Sequence, residues 1–285
     1  MNNNVSIYFI FLFSYIVFAQ DELESLLGPI NENDTVINTF KSTRIINNHS
    51  IEIFDTGQLD LRISHRFGLL NTGPYELFGL DQAKIRIGFE YGLINNMMIG
   101  LGRSTYNKTY DGYIKYVFKE QTNGTKKNPF SLVGLSSFSI NSLKKSQHDY
   151  PFLGRLSFTN QLMIASKINR EFSIQIMPTF VHWNMVTENT MSNNISVLGV
   201  GFRYLISKSV SINSEYFFRF IDSTEEDYYN SFSIGLDIET GGHVFQLHLT
   251  NSMSMNEAGF MTRTQNSWKN GGIHFGFNIS REFNL

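Results

Sequence analysis

Cysteine is absent from the 285 residues. That excludes disulfide scaffolds, thiol catalysis, thiolate metal sites and anchoring through a lipidated cysteine. Long apolar runs are almost absent too. After the first twenty residues no stretch approaches the roughly 20 apolar positions of a membrane helix. Charge of either sign is sparse: DEKR residues make up 17% and the net charge is −2. There is thus no whole-chain attraction to nucleic acid. No Gly-x-Ser-x-Gly elbow, phosphate-binding glycine loop or helical zinc pair occurs. A serine–histidine hydrolase on an outer barrel wall has no local signature, and its loose candidates are His182 and the pair Ser136, Ser137.

What is present is alternation. Residues 271–283 place Ile273, Phe275, Phe277 and Ile279 on one face, and His274, Gly276, Asn278 and Ser280 on the other. A period of two over this length is a strand signal. The pattern recurs over 58–67, 83–91, 97–104, 110–119, 130–140, 156–167, 172–183, 195–206, 210–221, 231–240 and 243–251. That makes twelve strands, most near the 9–11 residues a tilted strand needs to cross a bilayer. Aromatic excess, 26 phenylalanines and 13 tyrosines, is what two interfacial girdles require. Mean hydropathy is −0.17, as expected when half of every strand is polar.

The connections support the same reading. With the first strand starting in the periplasm, every second connection should be a short periplasmic turn. Those at 93–96, 168–171, 207–209 and 241–242 are short. Those at 68–82, 141–154, 184–194, 222–230 and 252–270 are longer and polar, as external loops should be. Two connections depart from the rule, the external one at 105–109 being short and the periplasmic one at 120–129 long; a soluble sandwich still has no reason to sort the rest by parity. The expected fold is an all-β, closed antiparallel transmembrane barrel of about twelve strands. The divisions are a signal peptide at 1–20, a periplasmic lead-in or lumen plug at 21–48, and the barrel at 49–285. Cleavage is expected after Ala19 or Gln20, although Asn2, Asn3 and Asn4 stand where basic residues usually do.

Several runs are familiar in combination. They are 39–52 with 63–68, then 102–112, 175–182, 238–252 and 273–281. Together they resemble a family of uncharacterised outer-membrane β-barrel proteins of Bacteroidota. The resemblance covers 39–285 and implies location and fold, with no assigned activity.

If apolar parity meets lipid, the polar parity meets the lumen. Asp60, Arg62, Arg66, Lys84, Arg86, Glu90, Lys115, Arg203, Glu215, Arg219, Asp237, Gln246, His248, His274 and Asn278 are the lumen-lining candidates. Such a set either braces the barrel with ion pairs or lines a polar pore. Gly100, Gly102, Gly199 and Gly201 share that parity and leave lumen space. Arg62, Arg66, Lys84 and Arg86 should form a basic patch in the outer half, with Asp60 and Glu90 below it. Pairing of Thr250 near Gly272 would set His248 opposite His274, close enough for a metal. No cofactor is expected. The expected partners are outer-membrane lipid and the barrel-assembly machinery. Two functions remain open: a narrow channel for small polar or anionic solutes, and a non-transport scaffold barrel. A lipid hydrolase is a distant third.

Overall fold

A computed structural model describes residues 35–124, 127–144, 151–186, 192–221 and 228–285. The signal segment and the first half of the lead-in, 21–34, lie outside them. Twelve strands close into one barrel. They are β1 (Gln58–Leu69), β2 (Ala83–Ile94), β3 (Met97–Ser104), β4 (Thr109–Lys119), β5 (Ser131–Asn141) and β6 (Leu156–Lys167). The second half is β7 (Phe172–Trp183), β8 (Asn194–Leu205), β9 (Val210–Phe220), β10 (Ser231–Thr240), β11 (His243–Thr250) and β12 (His274–Asn284). Each pairs antiparallel with its chain neighbour, and β12 closes on β1 with Arg62 opposite Ser280. Closure leaves no open sheet edge, the condition for a sheet in hydrocarbon. Among the described residues no helix is long and apolar enough to cross a membrane, so the crossing is made by strands.

Strand parity sorts the side chains. On β2, Ile87 and Phe89 are outward and exposed, while Arg86 and Glu90 between and beside them are buried. The same alternation runs round the wall through Leu101, Ile114, Phe138, Phe180, Leu198, Phe218 and Leu236. A continuous apolar exterior of this kind is stable only against lipid. Pro178 also faces outward, and the β6–β7 ladder is interrupted opposite it, between the pairs Gln161–Thr179 and Ile164–Ile176. Proline has no N–H to donate there. At 241–242 two glycines, with φ of +40° and +89°, make the two-residue hairpin that the strand twist favours.

Leu198, in the middle half of β8, tests the lipid contact. Leu198→Arg is expected to cost about 2–4 kcal/mol in equilibrium urea unfolding from lipid vesicles. A change within about 0.5 kcal/mol, the usual range for a solvated surface site, would mean that this face does not meet hydrocarbon.

The wall begins at Gln58 and not at residue 49, because residues 49–54 are held inside it. The expectation of a polar external loop at 252–270 is also corrected. Residues 251–262 fold into the barrel mouth and carry a six-residue helix, α1 (Glu257–Thr262), every residue of which is buried. Its apolar residues Met255, Ala258, Phe260 and Met261 explain the inward fold: as an external loop they would face water.

Candidate functional site

The lumen is occupied. Residues 35–41 cross the short-turn mouth, where Val36 N–H donates to Gln121 O (2.8 Å). The chain then rises as a narrow hairpin. Ser50 N–H donates to Thr43 O (2.9 Å) and Ile45 N–H to Asn48 O (2.8 Å), with Arg44 bridged to His49. The tip is Ile46, Asn47 and Asn48. Asn-Asn is a turn dipeptide, and hydroxyl and amide side chains beside it supply partners for a polar wall.

That wall binds the hairpin through its backbone as well as its side chains. Glu215 accepts the Asn47 N–H (2.9 Å) and the Asn48 N–H (3.1 Å), one on each carboxylate oxygen. Gln246 donates to Ile45 O (3.0 Å), Asn278 to Ile46 O (3.1 Å) and Gln175 to His49 O (2.8 Å). Lys115 donates to the carbonyls of Thr43 (3.3 Å) and Glu52. Arg203 donates to the carbonyls of Asn38 (2.8 Å) and Thr39 (3.0 Å). Buried polar backbone must be partnered, and here wall side chains do it.

The sequence-derived candidates are therefore placed as follows. All fifteen have inward parity, and all except half-buried Lys84 are at most 5% exposed. The basic patch is corrected in part: Lys84 does pair opposite Arg66 on β1–β2, but the three guanidiniums turn to different acceptors. Arg62 leans down to Glu90 (3.6 Å) and Asp60 (3.8 Å). Arg86 pairs with Asp111 on β4 (Nε to Oδ1 3.0 Å). Arg66 donates to Asn47 of the hairpin tip. Like charges confined without water disperse toward the nearest acceptors. Asp237 accepts from Gln246 (3.0 Å). Arg219 donates to Thr262 O (3.0 Å) and so holds the in-folded loop.

The two inserted segments meet at one carboxylate. Glu257, at the start of α1, accepts from Arg44 Nη1 (3.0 Å) and from His49 Nε2 (3.1 Å). Burial, reinforced by the Arg44 and Lys115 charges, holds the His49 imidazole well below its usual range. Facing a carboxylate, which only accepts, the ring donates through Nε2. Arg44 also faces Glu90 at 3.6 Å. Above and beside this polar lock, Ile45 and Ile46 join Met163, Met177, Phe217, Phe260 and Met261 in a small apolar core. Parity alone could have found Asp111, two residues before Tyr113 and four before Lys115. Arg44, His49 and Glu257 lie outside the strands and carried no such signal.

Inward glycines mark where the contents press on the wall. A Cβ on Gly201 would lie 2.4 Å from Ile45 Cδ1, and one on Gly199 2.5 Å from the Phe217 ring. On Gly102 it would lie 2.3 Å from Arg86 Nη2, while Gly88 flanks the same guanidinium. The space those glycines leave is thus filled by neighbouring side chains. Gly102→Val is expected to push Arg86 off Asp111 and cost about 3 kcal/mol, the scale for breaking a buried pair. The readout is the temperature at which the compact gel band of unboiled protein is lost; an unchanged midpoint would refute the packing.

The remaining candidates do not assemble. Thr250 pairs with His274 and His248 with Gly276, so the two histidines are offset by two residues and not opposite. His274 Nδ1 donates to Phe67 O (2.9 Å) while Nε2 meets Asn266 (3.0 Å). Among the described residues no group of three His, Asp or Glu is placed to hold a metal. Ser136 faces outward and donates to Asn160 (2.9 Å), whereas Ser137 faces inward. His182 pairs with Asn194 (2.7 Å), two strands from Ser136.

A closed twelve-stranded wall with lipid-facing aromatics and a polar, filled lumen matches one family model, membrane bound beta barrel domain (DUF5777), over residues 40–283. The chain belongs to that family. The match begins in the hairpin and not at β1, so the family domain includes the inserted segment as well as the wall. No curated protein matches the sequence. Solved structures similar in fold include the NanC porin, at 10% identity over 80% of this chain and 100% of that one, with a TM-score of 0.50. The KdgM porin in complex with disordered oligogalacturonate is similar at 11% identity, over 79% and 99%, with a TM-score of 0.48. The Acinetobacter baumannii outer membrane protein Omp33 follows at 7%, over 79% and 98%, with 0.44. At these identities the likeness concerns the barrel fold.

Proposed function

We propose that this family member is a narrow outer-membrane channel for small polar or anionic solutes, held closed by the hairpin at 42–50 and the in-folded loop at 251–262. One observation carries the reading: the wall grips the hairpin largely by polar hydrogen bonds, to its backbone and to its Ser42, Thr43, Asn47 and Asn48 side chains, which water could replace. Without the inserted segments the wall presents Arg62, Arg66, Arg86, Lys115, Arg203 and Arg219 against Asp60, Glu90, Asp111, Glu215 and Asp237. That excess of cations favours anions, as charged rings do in pores. The porin neighbours support a transport reading over an enzymatic one. The segment at 1–20 would direct export, and the barrel-assembly machinery would insert the chain. The bacteroidotal source rests on the sequence resemblance alone.

The second reading, a scaffold barrel, is favoured by the apolar core of Ile45, Ile46 and Phe260 inside the lumen. Planar-bilayer recording in asymmetric salt separates the two. The channel reading expects current that is rare at rest, anion-selective when the inserts are displaced, and less selective after Arg62→Ala plus Arg86→Ala. Silence from a folded barrel with both inserts displaced leaves the scaffold.

A further inference from the structure

The sealed lumen has a second feature above it. At the long-loop end lies a hollow of about 240 Å³. Its floor is the in-folded loop, through Ser254, Asn256 and Gly259. Its walls include Tyr106 and Asn107 between β3 and β4, Asn141 at the end of β5, Trp183 at the end of β7, and Gln265. Arg155 and Arg263 also line it. Among the described lining residues there is no carboxylate, no lysine and no aliphatic side chain. An apolar guest would leave these amides and hydroxyls unpaired, at a cost. A cation would find no acidic partner among those described lining residues. What the lining matches is a ring bearing many hydroxyls: amides and hydroxyls both donate and accept, and aromatic rings supply flat apolar walls. The volume is below the roughly 300–1,000 Å³ of drug-sized sites, so the guest is a single small ring.

Much of this lining is already fixed. Asn256 Nδ2 donates to Ser139 (3.0 Å), and its Oδ1 accepts from Ser254 (2.7 Å). Trp183 Nε1 donates to Thr262 (3.1 Å), and the Arg263 guanidinium stacks 3.4 Å from the Trp183 ring centre. Asn141 Oδ1 accepts from Leu143 N–H (2.9 Å). Side chains immobilised beforehand lose little entropy on binding.

We infer that this vestibule is a binding site for a small polyhydroxylated solute, about one sugar ring in size. It names the solute class for the channel proposed above and rests on that reading. Asn256, in the floor, is next in the chain to Glu257, so the guest sits directly over the polar lock.

The chain has two tryptophans, so Trp268→Phe leaves Trp183 as the reporter. Full-length refolded protein is titrated with D-glucose and with D-glucuronate, by Trp183 emission and by calorimetry on the unsubstituted chain. Saturable binding of either sugar, with Kd of about 1 mM or tighter, is the expected result; preference for glucuronate would assign the two guanidiniums to its carboxylate. Asn141→Leu with Gln265→Leu should weaken it about tenfold, the scale of two lost hydrogen bonds, while the compact gel band persists. No saturable signal from either sugar, or binding indifferent to both substitutions, overturns the site. Binding by a folded protein that gives no current even with both inserts displaced would sink the channel and spare the site; current from that barrel without binding by the unaltered chain would do the reverse.

Discussion

A barrel whose residues 39–54 are replaced by a Gly–Ser linker of equal length is expected to conduct steadily where the unaltered chain opens only rarely. The replaced segment contributes the hairpin and every hydrogen bond that closes the middle of the lumen. Asn48 Nδ2 reaches Gln161 (3.0 Å) on β6, and Asn47 Nδ2 reaches Ser233 (2.8 Å) on β10. One turn thus ties strands that stand four apart in the wall. A flexible linker has no reason to order there, since ordering costs roughly 1–2 kcal/mol per residue. Water would then solvate the wall charges. Glu257 would lose Arg44 and His49 together, and a buried carboxylate without a partner is expelled toward water. The in-folded loop should follow it out. Single-channel recording is the measurement. A folded replacement barrel that stays silent, and stays silent when residues 252–263 are also replaced by linker, would end the channel reading.

Glu257→Ala in the intact chain should be the most damaging single substitution, at about 3–5 kcal/mol. It takes the nearer carboxylate from the Arg44 guanidinium, 4% exposed, leaving it the Asn47 carbonyl (2.9 Å) and Glu90 at 3.6 Å. Glu257→Gln should cost less, because an amide oxygen still accepts from both donors. Arg44→Met combined with Glu257→Ala should recover much of the loss, since removing both partners leaves no uncompensated charge. The cycle is read from unfolding midpoints in detergent. A loss below about 1 kcal/mol for Glu257→Ala, or strict additivity in the double variant, would mean that the two inserted segments are not locked at this carboxylate.

Much of the wall was legible in the residues themselves. The alternation of Ile85, Ile87 and Phe89 with Arg86, Gly88 and Glu90 is a local property, because a strand turns successive side chains to opposite faces whatever its partners. The twelve strands, the parity of their loops and the turn at Gly241–Gly242 all follow from such short-range patterns. Which polar face met what was not local. Arg86 reaches Asp111 across two strand spacings, and nothing near either residue announces the pair. His248 and His274 are offset because the strand pairing, not their spacing, sets the register. The segment at 252–270 reads as polar loop, yet Met255, Phe260 and Met261 bury themselves once a lumen of matching size exists. The Arg44-Ile45-Ile46-Asn47-Asn48-His49 run has the look of a hairpin turn in any context. Its seat inside the barrel depends on Glu215, Gln246 and Asn278 arriving from three separate strands. Strand identity was settled by a period of two in the chain; the contents of the lumen were settled only by closure, which brings charges far apart in sequence into one space where each must find a partner.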